Sequence, residues 1–176
     1  MLEIFSTWPT KKVLRYLIVF ALVLLFIIYP FMMYYYTVSQ YPVSFFESQL
    51  SFNGELLKSH YSITNIDLYR IAQSLDYGFM VSYGILLFCI SLIVARNFEE
   101  NTLWSKLGFL MPVLGVFAPL LDAAENLFIL LMLTDPLGFP NILALLHSFC
   151  ALFKYIFMLL TLGYIIIATI ASKVKK

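Results

Sequence analysis

The sequence predicts an all-α fold: an antiparallel four-helix bundle in a membrane, with a small extracytoplasmic cap between the first and second helices. Three observations carry that expectation. Of the 176 residues, 62% are hydrophobic and only 12% charged. A soluble domain is nearer half apolar and a quarter charged, and a chain this short has too much surface to hide the excess. Four apolar runs are each long enough to cross about 30 Å of hydrocarbon at roughly 1.5 Å per residue. Lys and Arg gather in alternate flanks of those runs. The length suits one membrane domain, residues 1–176, with no second.

The first span is expected over about 16–36, from Tyr16 to Tyr36. Lys11, Lys12 and Arg15 precede it, as in a signal peptide, but no small-x-small cleavage site follows. The run ends in Tyr34, Tyr35 and Tyr36, which read as an interfacial aromatic belt. Pro30 is expected to kink its outer end. The second span covers about 76–95. The third covers about 108–133 and contains Pro112 and Pro119, which neighbouring helices can accommodate in lipid. The fourth, about 141–171, exceeds the bilayer thickness and must tilt or protrude.

The basic residues set the orientation. Lys11, Lys12 and Arg15, then Arg96 and Lys106, then Lys173, Lys175 and Lys176 all fall on one side; the other side has Lys58 and Arg70. The positive-inside rule places both termini in the cytoplasm of a multi-pass cell-membrane protein. Trp8 and Trp104 fall at the same inner boundary. The inner loop, Phe98 to Leu107, is short, and the second outer turn, Thr134 to Pro140, carries two prolines and a glycine.

Residues 37–75 form the long outer loop, and loops of that length are usually functional. Phe45, Phe46, Leu50, Phe52, Leu56, Leu57, Tyr61, Ile63 and Ile66 make it too apolar for disorder. VSFFESQLSF reads as extended and Asn53-Gly54 as a turn. A hairpin and a strand followed by a short helix (Glu55 to His60) are equally open. Thr64 and Asp67 have capping-box spacing, so a helix is expected to run from there into the second span.

The functional signal lies in polar residues within the spans. Asp122, Glu125 and Asn126 share one helix face in LLDAAENLFILL. His147 and Lys154, seven apart, share a face of the fourth span; Asp76 and Tyr83, also seven apart, share a face of the second. Counted from the outer boundary at about 1.5 Å per residue, Asp122 lies roughly 16 Å deep, Lys154 roughly 20 Å, Glu125 roughly 12 Å and His147 roughly 9 Å. The tight turn makes spans three and four antiparallel neighbours. Asp122 is therefore expected to meet Lys154 and Glu125 to meet His147, with Asp76 at the mouth above them. A charge at mid-bilayer costs about 2.5–3.5 kcal/mol or more, so these groups should face inward and pair. A structural salt bridge between Asp122 and Lys154 is the plainest account. Against it, hydrophobic replacements often serve stability as well. Asp122 and Glu125 also outnumber the one fixed cation, which makes one of them a candidate proton carrier or general acid.

Other residues point elsewhere or nowhere. His60 reads as a loop histidine, Asp67 with Arg70 as a surface pair, and Ser82 and Ser148 lack a base at matching depth. No HExxH, GxSxG or Gly-rich phosphate loop occurs, and two histidines and two separated cysteines, Cys89 and Cys150, make neither a metal nor a cofactor site. No basic tract is dense enough for nucleic acid.

LDYGFMVSYG at the head of span two, LLDAAENLFILL in span three and the lysine of span four resemble a family of small uncharacterised prokaryotic four-span membrane proteins. That resemblance implies Asp76, Tyr83, Asp122, Glu125, Asn126 and Lys154 as signature positions, and no activity. In loop layout alone the chain is similar to claudin-type tetraspan proteins; its first outer loop has neither the tryptophan nor the cysteines of theirs.

Three functional readings follow. The first is a binding or transport module. Its polar pocket, lined by Asp76, Tyr83, Asp122, Glu125, Asn126, His147 and Lys154, takes a lipid or small amphiphile. The second is a membrane-embedded acid–base enzyme on a lipid-like substrate, with Glu125 as acid/base, Lys154 stabilising negative charge and Asp122 orienting the lysine. The third is an assembly protein whose outer cap meets another membrane protein. Four spans without an inverted repeat argue against secondary transport by a monomer.

Overall fold

The computed structural model describes residues 2–99 and 102–174. Glu100 and Asn101 of the expected inner loop, and Lys175 and Lys176 of the tail, lie outside the described residues. A 3₁₀ turn, Leu2–Ser6, leads into six helices: α1 (Lys11–Val38), α2 (Phe45–Gln49), α3 (Gly54–Tyr61), α4 (Ile66–Ala95), α5 (Leu103–Met132) and α6 (Asn141–Val174). No strand occurs among the described residues. Four of the helices, α1, α4, α5 and α6, are long and apolar enough to cross a membrane.

Each of these four is longer than its apolar run, because caps, not hydropathy, set helix ends. Thr10 caps α1. Asn65, not Thr64, caps α4, accepting from Leu68 N–H; the Thr64 hydroxyl donates instead to the His60 carbonyl at 2.7 Å. The cap is thus one residue later than expected and lacks the reciprocal bond of a capping box, and Asp76 lies well inside a helix rather than at its head. Thr102 caps α5 and shortens the loop before it. α1 continues through Pro30, and α5 through Pro112 and Pro119.

Packing follows chain order: α1 lies on α4, α4 on α5, and α5 on α6, with a smaller diagonal contact between α4 and α6. Among the four long helices, α1 packs extensively on α4 alone. That leaves a gap on the side of the bundle between α1 and α6. Cys89 is buried with Leu14 and Leu92, whereas Cys150 is only half-buried.

The connection from α1 to α4 is helical where an extended segment was expected. Ser44 and Glu47 form a reciprocal capping box that starts α2, and Asn53 caps α3 rather than turning a hairpin. These local capping hydrogen bonds outweigh the β-propensity of the aromatic residues between them. The Ser44 backbone N–H holds the Glu47 carboxyl below its ordinary range.

The connection packs on the bundle end through Tyr41, Leu57 and Tyr61, which join Tyr69 of α4, Ile129 and Met132 of α5, and Phe139. Tyr41 stacks on Tyr69 at 4.4 Å and its hydroxyl meets Ser48 Oγ at 2.6 Å. Tyr34 stays exposed as a belt residue would, but Tyr36 turns inward, contacts Tyr41, Phe45 and Tyr69, and donates to the Val43 carbonyl. Asp67 and Arg70 do pair, at 3.1 Å, and Arg70 also donates to the Leu133 carbonyl, tying α4 to the end of α5.

His60 makes this segment sensitive to acid. Its Nδ1 is buried without a partner, its ring stands edge-on to Tyr41, and desolvation holds its pKa below that of free imidazole. The unfolded chain therefore takes the proton more readily. Stability is full above the ordinary imidazole pKa of about 6.5, and falls as pH drops through it toward the lower folded value. We expect a small fall in Tm between about pH 7.5 and pH 5.5 that His60→Gln reduces. An unchanged fall in that variant would exclude His60 as its source.

Candidate functional site

Six of the seven residues singled out above meet in one buried cluster, and the seventh, His147, borders it. The register of α5 against α6 places Asp122 opposite Lys154, whose ammonium lies 2.9 Å from Asp122 Oδ1. One turn along α5, Glu125 Oε2 stands 2.5 Å from the same ammonium, close enough for an ion pair but off the line of a hydrogen bond. Lys154 thus bridges two carboxylates of one helix. The cluster reaches α4 through Tyr83, whose hydroxyl donates to Asp122 Oδ2 at 2.8 Å. It reaches α4 again through Asn126, whose amide donates to the Gln73 carbonyl at 2.6 Å and stands 3.5 Å from Asp76 Oδ2.

Asp76, Asp122 and Lys154 are only 9%, 5% and 4% exposed, so their charges are screened by one another rather than by solvent. Glu125, Asn126 and His147 are more deeply buried still. The expected meeting of Glu125 with His147 is loose: His147 Nε2 is 3.7 Å from Glu125 Oε1, and neither nitrogen of the ring is well engaged. Ser148 lies beside that ring, with Oγ 3.4 Å from His147 Nδ1, and accepts from the Phe52 backbone N–H at 3.1 Å. The hydroxyl that seemed to lack a base therefore serves to tie the α2–α3 linker to α6.

A cavity of about 580 Å³ adjoins the cluster. Asp76, Asp122, Tyr83 and Lys154 line its polar part; Glu125, Asn126 and His147 do not line it. Leu86, Ile90, Met158, Leu162 and Ile165 form walls farther along α4 and α6, and Met32 and Met33 of α1 close another side. From Asp76 to Ile90 along α4 is roughly 21 Å. The cavity lies where α1 and α6 do not pack on one another, with α4 between them.

Sequence reasoning missed two contributors from outside the polar motifs. Gln49, at the end of α2, accepts from the Tyr155 hydroxyl across 106 positions of sequence, and both residues line the cavity. Tyr155 also offers its ring to the Lys154 ammonium, 4.9 Å from the centroid. Only the adjacency of Tyr155 to Lys154 hinted at its place; nothing in the loop sequence marked Gln49.

The arrangement has the usual build of a small-molecule site: mostly apolar walls with a few fixed polar groups at one end. No protein-family model, no curated protein and no solved structure matches the chain, so its reading rests on these residues alone.

Proposed function

We propose that this multi-pass membrane protein binds a lipid or other small amphiphile in the cavity between α1, α4 and α6. In this reading both termini face the cytoplasm and residues 37–75 form an extracytoplasmic cap over the site, as the Lys and Arg distribution favours. The observation that carries the proposal is the pairing of a buried polar end, at Asp76, Tyr83, Asp122 and Lys154, with a long apolar remainder in one cavity. A headgroup finds hydrogen-bonding partners at the first and a hydrocarbon tail finds the second. Acid–base catalysis by Glu125 has less support, because its oxygens face Lys154 and His147 rather than the cavity.

The test is mass spectrometry of lipids and metabolites that copurify with wild type, Asp122→Asn and Met158→Trp. Asp122→Asn alters the polar end and Met158→Trp fills the apolar part. We expect a compound retained by wild type and depleted from both folded variants. Identical copurifying profiles in all three would overturn the proposal and move attention to the 37–75 segment and its partners.

A further inference from the structure

The cluster carries a charge imbalance that the chain itself leaves uncorrected. Three carboxyl groups, Asp76, Asp122 and Glu125, surround one fixed cation, Lys154. Lys154 is fully engaged: its ammonium already contacts Asp122 and Glu125. The second Asp122 oxygen takes the Tyr83 hydroxyl. His147 supplies no second cation. A buried imidazolium would close on the carboxylate beside it, yet Nε2 stays 3.7 Å from Glu125 Oε1, beyond hydrogen-bond length. Arg70 of α4 and Arg96 just beyond its end are committed elsewhere, Arg70 to Asp67 and the Leu133 carbonyl, and Arg96 to the Phe5 and Pro9 carbonyls.

Asp76 is the group left over. Its one hydrogen bond among the described residues is the 3.5 Å contact from Asn126, whose amide is better placed on Gln73. A carboxyl group that is nine-tenths buried thus faces the cavity nearly unpartnered, and such groups are costly unless something completes them. The rings of Tyr29, Phe45, Phe79, Tyr83 and Tyr155 line the same cavity. Aromatic faces attract cations, most strongly where water is absent.

We infer that the amphiphile carries a cationic head, a long-chain amine or quaternary ammonium seated against Asp76 among these rings, with its tail along Met158 and Leu162. The inference rests on the reading of the cavity as an amphiphile site. A cationic head neutralises the surplus carboxylate. An anionic head would set a second negative charge beside it in a desolvated site. A neutral alcohol would gain a hydrogen bond but leave the charge in place.

Native mass spectrometry of the full chain in maltoside micelles tests this with three probes of one chain length: hexadecyltrimethylammonium, hexadecanol and hexadecanoate. Wild type should bind the cation about tenfold or more tightly than the alcohol, the worth of one charge-assisted contact. Asp76→Asn should lose that preference, and an unfolding midpoint in micelles close to that of wild type shows the variant to be folded. If the alcohol or the carboxylate binds wild type as well as the cation does, the headgroup inference fails and the amphiphile reading stands. If no probe binds, both fail. Cation preference retained in folded Asp76→Asn would overturn the role of Asp76, and wild-type selectivity alone decides the headgroup should that variant not fold.

Discussion

Replacing Lys154 by methionine is expected to cost about 3–5 kcal/mol of stability, the usual penalty for stranding a buried partner charge. Two partners are stranded here. Asp122 and Glu125 both face the ammonium, and neither has another cation within reach among the described residues. The loss should appear as a lower unfolding midpoint in micelles. It should be largely recovered in the triple variant Lys154→Met, Asp122→Asn, Glu125→Gln, because neither residue that faced the ammonium then carries a charge to strand. A single Lys154→Met substitution with an unchanged midpoint would mean that the three groups are not paired as described. The triple variant has a second use. It separates holding the helices together from holding a ligand, since it should be stable and yet retain less compound than wild type, with Asp76 the one charged group left at the polar end.

The second large effect is steric. A Cβ at Gly84 would lie 2.6 Å from Pro119 Cγ, a ring atom with little freedom to move aside. Small residues let membrane helices approach closely, and α4 and α5 meet here on that basis. Gly84→Leu should force the two helices apart and cost about 1–3 kcal/mol. Because Tyr83 precedes Gly84 and donates to Asp122, the same displacement should break the α4–α5 bond at the site. Ligand retention should therefore fall together with stability. Gly163→Ala, where a Cβ meets nothing within 4 Å, is the control and should leave both unchanged. A Gly84→Leu variant as stable as wild type would show that contact with Pro119 does not set the spacing of α4 and α5.

The four long helices were legible because lipid imposes length and apolarity that a hydropathy count reads directly. The neighbour relation of Asp122 and Lys154 was legible for a similar reason: a tight turn fixes antiparallel register, so depth along each helix can be counted and compared. The same counting set Glu125 opposite His147, but the long Lys154 side chain reaches up one turn and takes Glu125 for itself. Counting locates backbones and says nothing about side-chain reach. In the 37–75 segment the short helix expected over Glu55 to His60 is α3, but VSFFESQLSF was misread as extended because its aromatic residues have strand propensity, while the deciding signals were capping residues, Ser44 and Asn53. Tertiary packing on Tyr69 and Phe139 then stabilises helices too short to stand alone. Gln49 was beyond reach for another reason: its partner Tyr155 is brought to it only by the finished fold.

The absence of extensive packing between α1 and α6 bears on how any affinity here should be expressed. In the proposed reading, a molecule entering from the side of the bundle would come out of the bilayer, where it is already concentrated by partitioning, and would never have to cross water. Occupancy then follows its mole fraction among the lipids, not its molarity in the buffer. An aqueous titration would return an apparent Kd that weakens in proportion as empty lipid is added, while the surface-density value stays constant.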